Sequence, residues 1–134
     1  MTATVNHQRT RILIVDDNDD VRGSLAKVLG KQDDMLLVGA ASGVKEGVEL
    51  AVSTHPDVVI LDVSMPDGGG IEAARAMRRD NREIKIVAYS AFDQALITRV
   101  MRTAGASEYV SKASHPRELL SAVRRTARTP VGSR

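Results

Sequence analysis

Short apolar runs alternate along this chain with longer segments in which apolar residues recur every three or four positions. Five runs have the length of a β-strand, and the continuously apolar ones are typical of strands buried on both faces of a parallel sheet. The predicted strands comprise residues 12–15, 35–41, 58–61, 84–89 and 108–110.

The segments that follow these strands have the spacing of amphipathic α-helices. Strand and helix therefore alternate five times, which predicts right-handed crossovers and a parallel sheet with helices on both faces. The five apolar stripes are Val21, Leu25, Val28 and Leu29; Val44, Val48, Ala51 and Val52; Ile71, Ala74 and Met77; Leu96, Ile97, Val100, Met101 and Ala104; and Leu119, Leu120, Val123 and Ala127.

The turn-forming residues agree with these elements. Gly30 and Gly105 lie where the first and fourth helices should end, and Pro56 follows the second helix. Pro116 lies at the expected first turn of the last helix, where its missing N–H does no harm. The predicted fold class is α/β, a doubly wound five-stranded parallel sheet.

Length and composition indicate one soluble globular domain. The chain has 134 residues, of which 43% are hydrophobic and 27% charged, and this suits a single compact core. We expect the domain to comprise residues 11–127. A flexible polar tail is expected at 1–10, and a C-terminal tail or the start of a linker at 128–134.

Composition also disfavours several classes of protein. No apolar segment has the length of a membrane span and no secretory signal begins the chain, so we expect a cytoplasmic protein without a membrane partner. The absence of cysteine excludes disulfides and thiolate metal sites. A formal net charge of +2 is too small to indicate nucleic acid, and we expect no direct nucleic-acid binding by this chain.

Polar residues are concentrated where the predicted strands end. The segment LIVDDNDD places Asp16 and Asp17 after the first strand, and Asp62 ends the third. Ser90 ends the fourth strand and Lys112 lies just beyond the fifth. Because ligands of open parallel sheets bind beyond the carboxyl ends of the strands, these side chains are candidates for one site. Each acid alone is as readily a helix cap or a first-turn charge.

Clustered carboxylates favour a hard divalent cation, because like charges strain one another unless a cation lies between them. Mg²⁺ suits this edge, since it takes oxygen ligands and is commonly bound by one or two carboxylates and a phosphate. A carboxylate can attack a phosphoryl group while Mg²⁺ and a lysine neutralise the phosphoryl oxygens. Asp62, at the end of an apolar strand, is the natural nucleophile.

Four motifs occur in order along residues 11–127: VDD (15–17), LDVSMPDGGG (61–70), AYSA (88–91) and YVSKA (109–113). Together they resemble the CheY-like receiver domains of two-component response regulators. The segment YVSKASHPREL is most similar to receivers of the NarL/FixJ class, which often carry a C-terminal helix-turn-helix. The resemblance implies a flavodoxin-like (βα)5 fold with strand order 2-1-3-4-5.

The resemblance implies a role for each acid. Asp62 would accept a phosphoryl group from a sensor histidine kinase. Asp17, Asp62 and the backbone carbonyl of Ser64 would bind Mg²⁺, and Asp16 would act mainly through a bound water. The chain would then be a signalling acceptor rather than an enzyme, catalysing only its own phosphotransfer and slow dephosphorylation.

The resemblance also implies a switch. Lys112 would pair with the acyl phosphate, Ser90 would hydrogen-bond a phosphate oxygen after moving inward, and Tyr109 would change between outward and inward positions. Tyr89 is interpreted as a packing residue. The fourth helix, fifth strand and fifth helix would contact an output domain or partner protein, with homodimerisation on phosphorylation as a further option. Transcription regulation through a following DNA-binding domain is the expected output.

Two positions depart from the family pattern. Ala113 stands where most members have proline after the lysine, often in a cis bond, so both a cis and a trans Lys112–Ala113 bond are open. Gly69 stands where an Asp or Asn usually caps the third helix. The triple-glycine loop beside the site is expected to be more mobile as a result.

Three other functions compete with this interpretation. A phosphohydrolase with an aspartyl-phosphate nucleophile would need a second acid two residues after Asp16, where Asn18 stands. A calcium loop starting at Asp17 would need Gly and Glu where Arg22 and Val28 stand. A receiver-like binding module that signals without phosphorylation is disfavoured only because a competent residue occupies every key position, and this alternative stays open.

Overall fold

A computed structural model describes residues 8–63, 65, 69–91, 99 and 102–129 of the chain. The strands form one sheet in which all neighbouring pairs are parallel, in the order β2-β1-β3-β4-β5. This order confirms the predicted doubly wound fold. The strands are β1 (Thr10–Val15), β2 (Met35–Ala41), β3 (Val58–Asp62), β4 (Lys85–Ser90) and β5 (Glu108–Ser111).

Four helices are defined within the described residues: α1 (Asp19–Gly30), α2 (Val44–Thr54), α3 (Gly69–Asp80) and α4 (Pro116–Arg128). The helix predicted over residues 96–104 lies mostly outside the described part of the chain, in which residues 99, 102 and 103 are helical. Helix α4 therefore corresponds to the fifth predicted helix. None of the described helices has both the length and the apolar character needed to span a bilayer.

The apolar core has two halves, one on each face of the sheet. On β3, Val59 and Leu61 pack with residues of α2 and α3, whereas Val58 and Ile60 pack with residues of α1 and α4. Successive side chains of a strand point to opposite faces, so a strand covered on both faces is apolar throughout. All of β3 is buried, including its last residue, Asp62.

Helix α4 begins as predicted, with Pro116 in its first turn. The Nδ1 atom of His115 accepts a hydrogen bond from the backbone N–H of Arg117 (3.1 Å), which satisfies one of the free N–H groups of the helix. The described residues contain no cis peptide bond, so the Lys112–Ala113 bond before this helix is trans. Of the two isomers that the sequence left open, the fold therefore adopts the ordinary one.

Candidate functional site

Asp16 and Asp17 follow β1 at the carboxyl edge of the sheet and differ in exposure. Asp16 is 1% exposed, and its backbone N–H donates to the carbonyl of Ala41 on β2 (3.0 Å). Its Oδ1 accepts a hydrogen bond from the backbone N–H of Asn18 (2.9 Å), which turns the chain toward α1. Asp17 is exposed, so the pair presents one buried and one accessible carboxyl group.

The polar residues that follow belong to the start of α1. The side chain of Asn18 accepts a hydrogen bond from a backbone N–H of the first turn (3.0 Å) and caps the helix. Asp19 and Asp20 occupy that first turn, where the helix dipole favours negative charge. The capping interpretation therefore applies to these three residues and does not describe the two acids before them.

Asp62 ends β3 next to this acidic pair and is 2% exposed. Since Val15 on β1 is paired with Leu61 on β3, the acids that follow or end these strands emerge side by side. Ligand atoms of Asp16, Asp17 and Asp62 lie within 4.8 Å of one another. The structure thus brings together the three acids expected to share a site, and their oxygen donors fit Mg²⁺.

Lys112 reaches the acids from the end of β5. Its Nζ lies 2.7 Å from Oδ2 of Asp16 and 3.4 Å from Oδ2 of Asp62, and its side chain is 18% exposed. Its backbone N–H donates to the carbonyl of Ser90 (2.8 Å), which ties the lysine to the end of β4. One ammonium therefore lies beside two buried carboxyl groups and offsets part of their charge.

The charged groups change one another's pKa. Desolvation raises the pKa of Asp17 most, and the hydrogen bond and charge of Asp62 raise it further. Desolvation acts to lower the pKa of Lys112, but its hydrogen bond to Asp16 and the charge of Asp62 outweigh this, so the pKa is raised overall. Three carboxyl groups facing one ammonium leave excess negative charge, which favours a bound cation.

Ser90 and Tyr109, the predicted switch residues, lie on neighbouring strands and are connected. Ser90 is the last residue of β4 and is 0% exposed. The hydroxyl of Tyr109 donates a hydrogen bond to the backbone carbonyl of Ser90 (3.3 Å). The ring of Tyr109 is half-buried against the core on the α2 and α3 face. A movement of the end of β4 would therefore change the hydrogen bond of Tyr109.

Helix α3 begins against the backbone that carries Asp62. A Cβ atom at Gly70 would lie 2.7 Å from Cα of Val63 and 2.9 Å from the carbonyl oxygen of Asp62. Gly69 has φ +81°, in the left-handed region that glycine adopts without strain. The sequence pattern linked Gly69 to a lost helix cap and placed both glycines in a loop, whereas in the structure they are the first residues of α3 and the backbone geometry accounts for both.

Part of the predicted site falls outside the described residues. This applies to Ser64, whose backbone carbonyl was expected to bind Mg²⁺, and to residues 66–68 of the glycine loop. It also applies to most of the helix expected at 96–104. Their predicted roles stay predictions.

Tyr89 is a neighbour of the site that was not found from the sequence. Nζ of Lys112 lies 5.7 Å from the centroid of its ring, a distance at which an ammonium is attracted to an aromatic face. An aromatic residue in a strand usually packs in the core, so the sequence pattern carries no signal for this contact. The strand pairing that creates it is visible only in the fold.

The fold and this site define a class of protein. A doubly wound sheet with three acids at the ends of its central strands, and a lysine after the edge strand β5, is the arrangement of a receiver domain. The family model for the response regulator receiver domain matches residues 12–124, and the chain belongs to this family. It is therefore a receiver domain of the two-component type.

Individual relatives agree with this assignment. The chain is 36% identical over 114 residues to the response regulator GacA of Pseudomonas viridiflava, which covers 85% of this chain and 53% of that protein. It therefore spans about half the length of this curated relative. A LuxR-family two-component response regulator from Aurantimonas has 31% identity and a TM-score of 0.85 over 90% of this chain and 86% of that chain.

The signal receiver domain of the response regulator NarL from Mycobacterium tuberculosis is also similar. It has 27% identity and a TM-score of 0.86 over 92% of this chain and 99% of that chain. The resemblance to receivers of the NarL/FixJ class, seen in the segment around Lys112, is consistent with this likeness.

Proposed function

We propose that this domain accepts a phosphoryl group on Asp62 from a sensor histidine kinase, and that phosphorylation changes the surface offered to an output domain or partner protein. One observation carries the proposal. Asp62 is a buried carboxyl group that lies 3.4 Å from the ammonium of Lys112 within a three-carboxyl cluster. A nucleophile in this setting has cationic and metal-binding groups ready to neutralise the product.

In the proposed reaction, a carboxylate oxygen of Asp62 forms a bond to phosphorus. The bond between phosphorus and the donor breaks, and the donor group leaves with the electron pair. The product is a mixed anhydride of the aspartyl carboxyl group and phosphate. The exposed Asp17 marks the open side of the site, from which a donor can approach.

Asp17 and Asp62 are the proposed direct ligands of Mg²⁺, together with the backbone carbonyl of Ser64, and Asp16 acts mainly through a bound water. The donor set fits the ion because all donors are oxygens and two of the carboxyl groups are buried. When bound, Mg²⁺ would supply positive charge to the phosphoryl oxygens.

Lys112 is proposed to pair with the phosphoryl group. Its Nζ lies 2.7 Å from Asp16 and 3.4 Å from Asp62. The ammonium is therefore already close to the proposed acceptor before phosphorylation. A lysine has three N–H donors and can contact a new oxygen without leaving the acids altogether. Charge-assisted hydrogen bonds to phosphoryl oxygens would then stabilise the product.

Ser90 and Tyr109 are proposed to transmit the change. The side chain of Ser90 would hydrogen-bond a phosphoryl oxygen, and the Tyr109 hydroxyl already contacts the backbone carbonyl of Ser90. The affected surface comprises β5, α4 and the helix expected at 96–104. The domain is proposed to act in the cytoplasm and to catalyse only its own phosphotransfer and slow dephosphorylation. Its proposed output is transcription regulation through a DNA-binding domain, with homodimerisation on phosphorylation as a further option.

Phosphorylation by a small donor tests the proposal. After incubation with Mg²⁺ and acetyl phosphate, intact-mass spectrometry should show one added phosphoryl group in the natural sequence and none in Asp62→Asn. Asp33→Asn, which changes an exposed aspartate in the α1–β2 connection, is the matched control and should be modified normally. Folded protein without the adduct would instead support a binding module that signals without phosphorylation.

A further inference from the structure

Tyr89 and Asp62 are neighbours across the sheet. The two residues are paired in the register of β3 with β4. Tyr89 packs against the core on the α1 and α4 face, which is also the face of Ile60. Because strand side chains alternate with a period of two, Asp62 projects to the same face as Ile60 and Tyr89. The tyrosine ring is therefore the lateral neighbour of the proposed phosphoryl acceptor.

The ammonium of Lys112 lies near both side chains. Its Nζ is 3.4 Å from Oδ2 of Asp62 and 5.7 Å from the centroid of the Tyr89 ring. The negative face of an aromatic ring attracts an ammonium at this range, most strongly where water is excluded. Tyr89 is half-buried, and a tyrosine phenol is ordinarily neutral at pH 7, so the ring faces Lys112 in its neutral form.

A ring and a carboxylate hold an ammonium in different ways. Asp16, at 2.7 Å, competes with phosphoryl oxygens for the N–H donors and the charge of Lys112. The ring of Tyr89 is neutral and leaves those donors available. Since the lysine stem has four rotatable bonds, a partner that restricts the stem without consuming donors favours productive geometry.

We propose that Tyr89 is a positioning residue, whose ring holds the ammonium of Lys112 beside Asp62 so that it can engage the incoming phosphoryl group. This inference rests on the proposed phosphorylation of Asp62. It assigns to Tyr89 a role that the strand pattern does not show, since a packing residue at this position could be any large apolar side chain.

The kinetic test compares variants of Tyr89 with acetyl phosphate and Mg²⁺. Tyr89→Phe keeps the ring and should react at nearly the natural rate. Tyr89→Leu and Tyr89→Met fill the space without a ring and should react about three- to tenfold more slowly. Val87→Ala, on the same strand and face but earlier along β4, controls for a general loss of packing and should react normally.

Equal rates for the Leu, Met and natural proteins would overturn the proposal. A slow Tyr89→Phe variant would also contradict it, because that result would assign the effect to the hydroxyl. Unfolding curves recorded beforehand select a temperature at which each compared variant is folded. Two ringless variants are included so that the failure of one to fold does not decide the question.

A second measurement separates this inference from the proposed function. NMR of the side-chain CH₂ε group of Lys112 reports ring-current shifts from Tyr89 without any phosphorylation. The shift should be retained in Tyr89→Phe and lost in both ringless variants. If the natural protein is not phosphorylated, the proposed function fails, while the NMR result still shows whether the ring holds the lysine. If the shift is the same in all variants, the positioning role is wrong.

Discussion

Nζ of Lys112 lies 2.7 Å from Oδ2 of Asp16, and both side chains are largely withdrawn from water, at 18% and 2% exposure. The pair joins the end of β5 to the end of β1 across the two strands between them. Asp62, on one of those intervening strands, lies 3.4 Å from the same ammonium. The three strand ends are thus held at one point by electrostatic attraction, and the stability of the fold is coupled to the chemistry of the site.

The first prediction concerns this lysine. Lys112→Met should lower the free energy of unfolding by about 3 kcal/mol without Mg²⁺, because it leaves buried carboxyl groups without their cation. Urea denaturation at neutral pH measures the loss. Adding Mg²⁺ should restore part of it, since a divalent ion can replace the missing positive charge.

The pH dependence of this effect has a definite sign. The folded-state pKa of Lys112 is raised above 10.5, so its stabilisation is fully present below pH 10.5. It is lost as the pH rises through the raised folded-state value. A Lys112→Met variant as stable as the natural protein at neutral pH would contradict this account of the cluster.

The second prediction concerns Asp17, which is charged at neutral pH at the expense of folding. Because its folded-state pKa is raised above 3.8, the protonated form of Asp17 favours the folded state. This contribution to stability is fully present below pH 3.8 and is lost as the pH rises through the raised folded-state value. Asp17→Asn should therefore raise the melting temperature of the metal-free protein at pH 7. The same change should weaken Mg²⁺ binding by about 10- to 100-fold, since it replaces a charged carboxylate ligand with a neutral amide.

Differential scanning fluorimetry over a series of Mg²⁺ concentrations tests both parts for Asp17. The natural protein should be stabilised by Mg²⁺ and the variant should respond only weakly. Asp33→Asn, at an exposed position away from the cluster, should keep the natural response. An unchanged Mg²⁺ response in Asp17→Asn would remove this residue from the ligand set.

The third prediction compares two glycine substitutions. Gly70→Ala should destabilise the protein by about 2 kcal/mol, because its Cβ would meet the Cα of Val63 at 2.7 Å and the backbone would have to shift. That shift would move Asp62, so phosphorylation should also slow. Gly23→Ala in α1 meets nothing within 4 Å and should stabilise the protein by about 0.5–1 kcal/mol.

Chemical denaturation and acetyl phosphate kinetics on the two alanine variants provide the check. Both variants replace glycine with alanine, but their effects on the free energy of unfolding are expected to have opposite signs. A general effect of alanine therefore cannot account for the difference. If Gly70→Ala and Gly23→Ala behave alike, the close approach of α3 to the β3 backbone is not important for stability.

The fourth prediction concerns the ion pair that ties α4 to the loop before β2. Arg124 donates to Asp34 through Nε (2.8 Å) and Nη2 (3.0 Å), and Nη2 also donates to Gln32 (2.9 Å). The hydrogen bond from Arg124 lowers the pKa of Asp34 below 3.8. Its stabilisation is therefore present above pH 3.8 and is lost as the pH falls through the lowered value.

A double-mutant cycle with Arg124→Gln and Asp34→Asn should give a coupling free energy of about 0.5–1 kcal/mol at pH 7, because both side chains are more than a third exposed and water weakens their attraction. The coupling should weaken as the pH falls below 3.8 and through the lowered pKa of Asp34, and it should decrease in high salt. A coupling that persists at low pH would show that packing, rather than charge, joins these residues.

The sequence pattern predicted the elements of the sheet well because burial on both faces leaves a direct trace in composition. The strand predicted at 35–41 is observed at Met35–Ala41, and the one predicted at 58–61 extends by a single residue to Asp62. At the first strand, the observed β1 begins earlier, at Thr10. The apolar criterion missed Thr10 and Arg11 because these two residues are only partly buried, and it missed Asp62 because this residue is charged although it is buried.

Sequence by itself also determined which residue types stand at the strand ends, and hence that acids, a hydroxyl and an amine could meet. The order of the motifs then indicated the receiver family. None of this required knowledge of distances, because the carboxyl ends of parallel strands share an edge whatever their order.

Only the tertiary structure decided how those groups are arranged. It placed Lys112 nearer to Asp16 than to Asp62, set the ring of Tyr89 beside the ammonium, and pressed Gly70 against the backbone of the acceptor strand. The contacts of Lys112 join segments that are distant along the chain and depend on strand register, whereas the contact of Gly70 depends on how closely α3 packs against β3. A local pattern of apolar and polar residues carries no information on either, since both follow from packing of the whole domain.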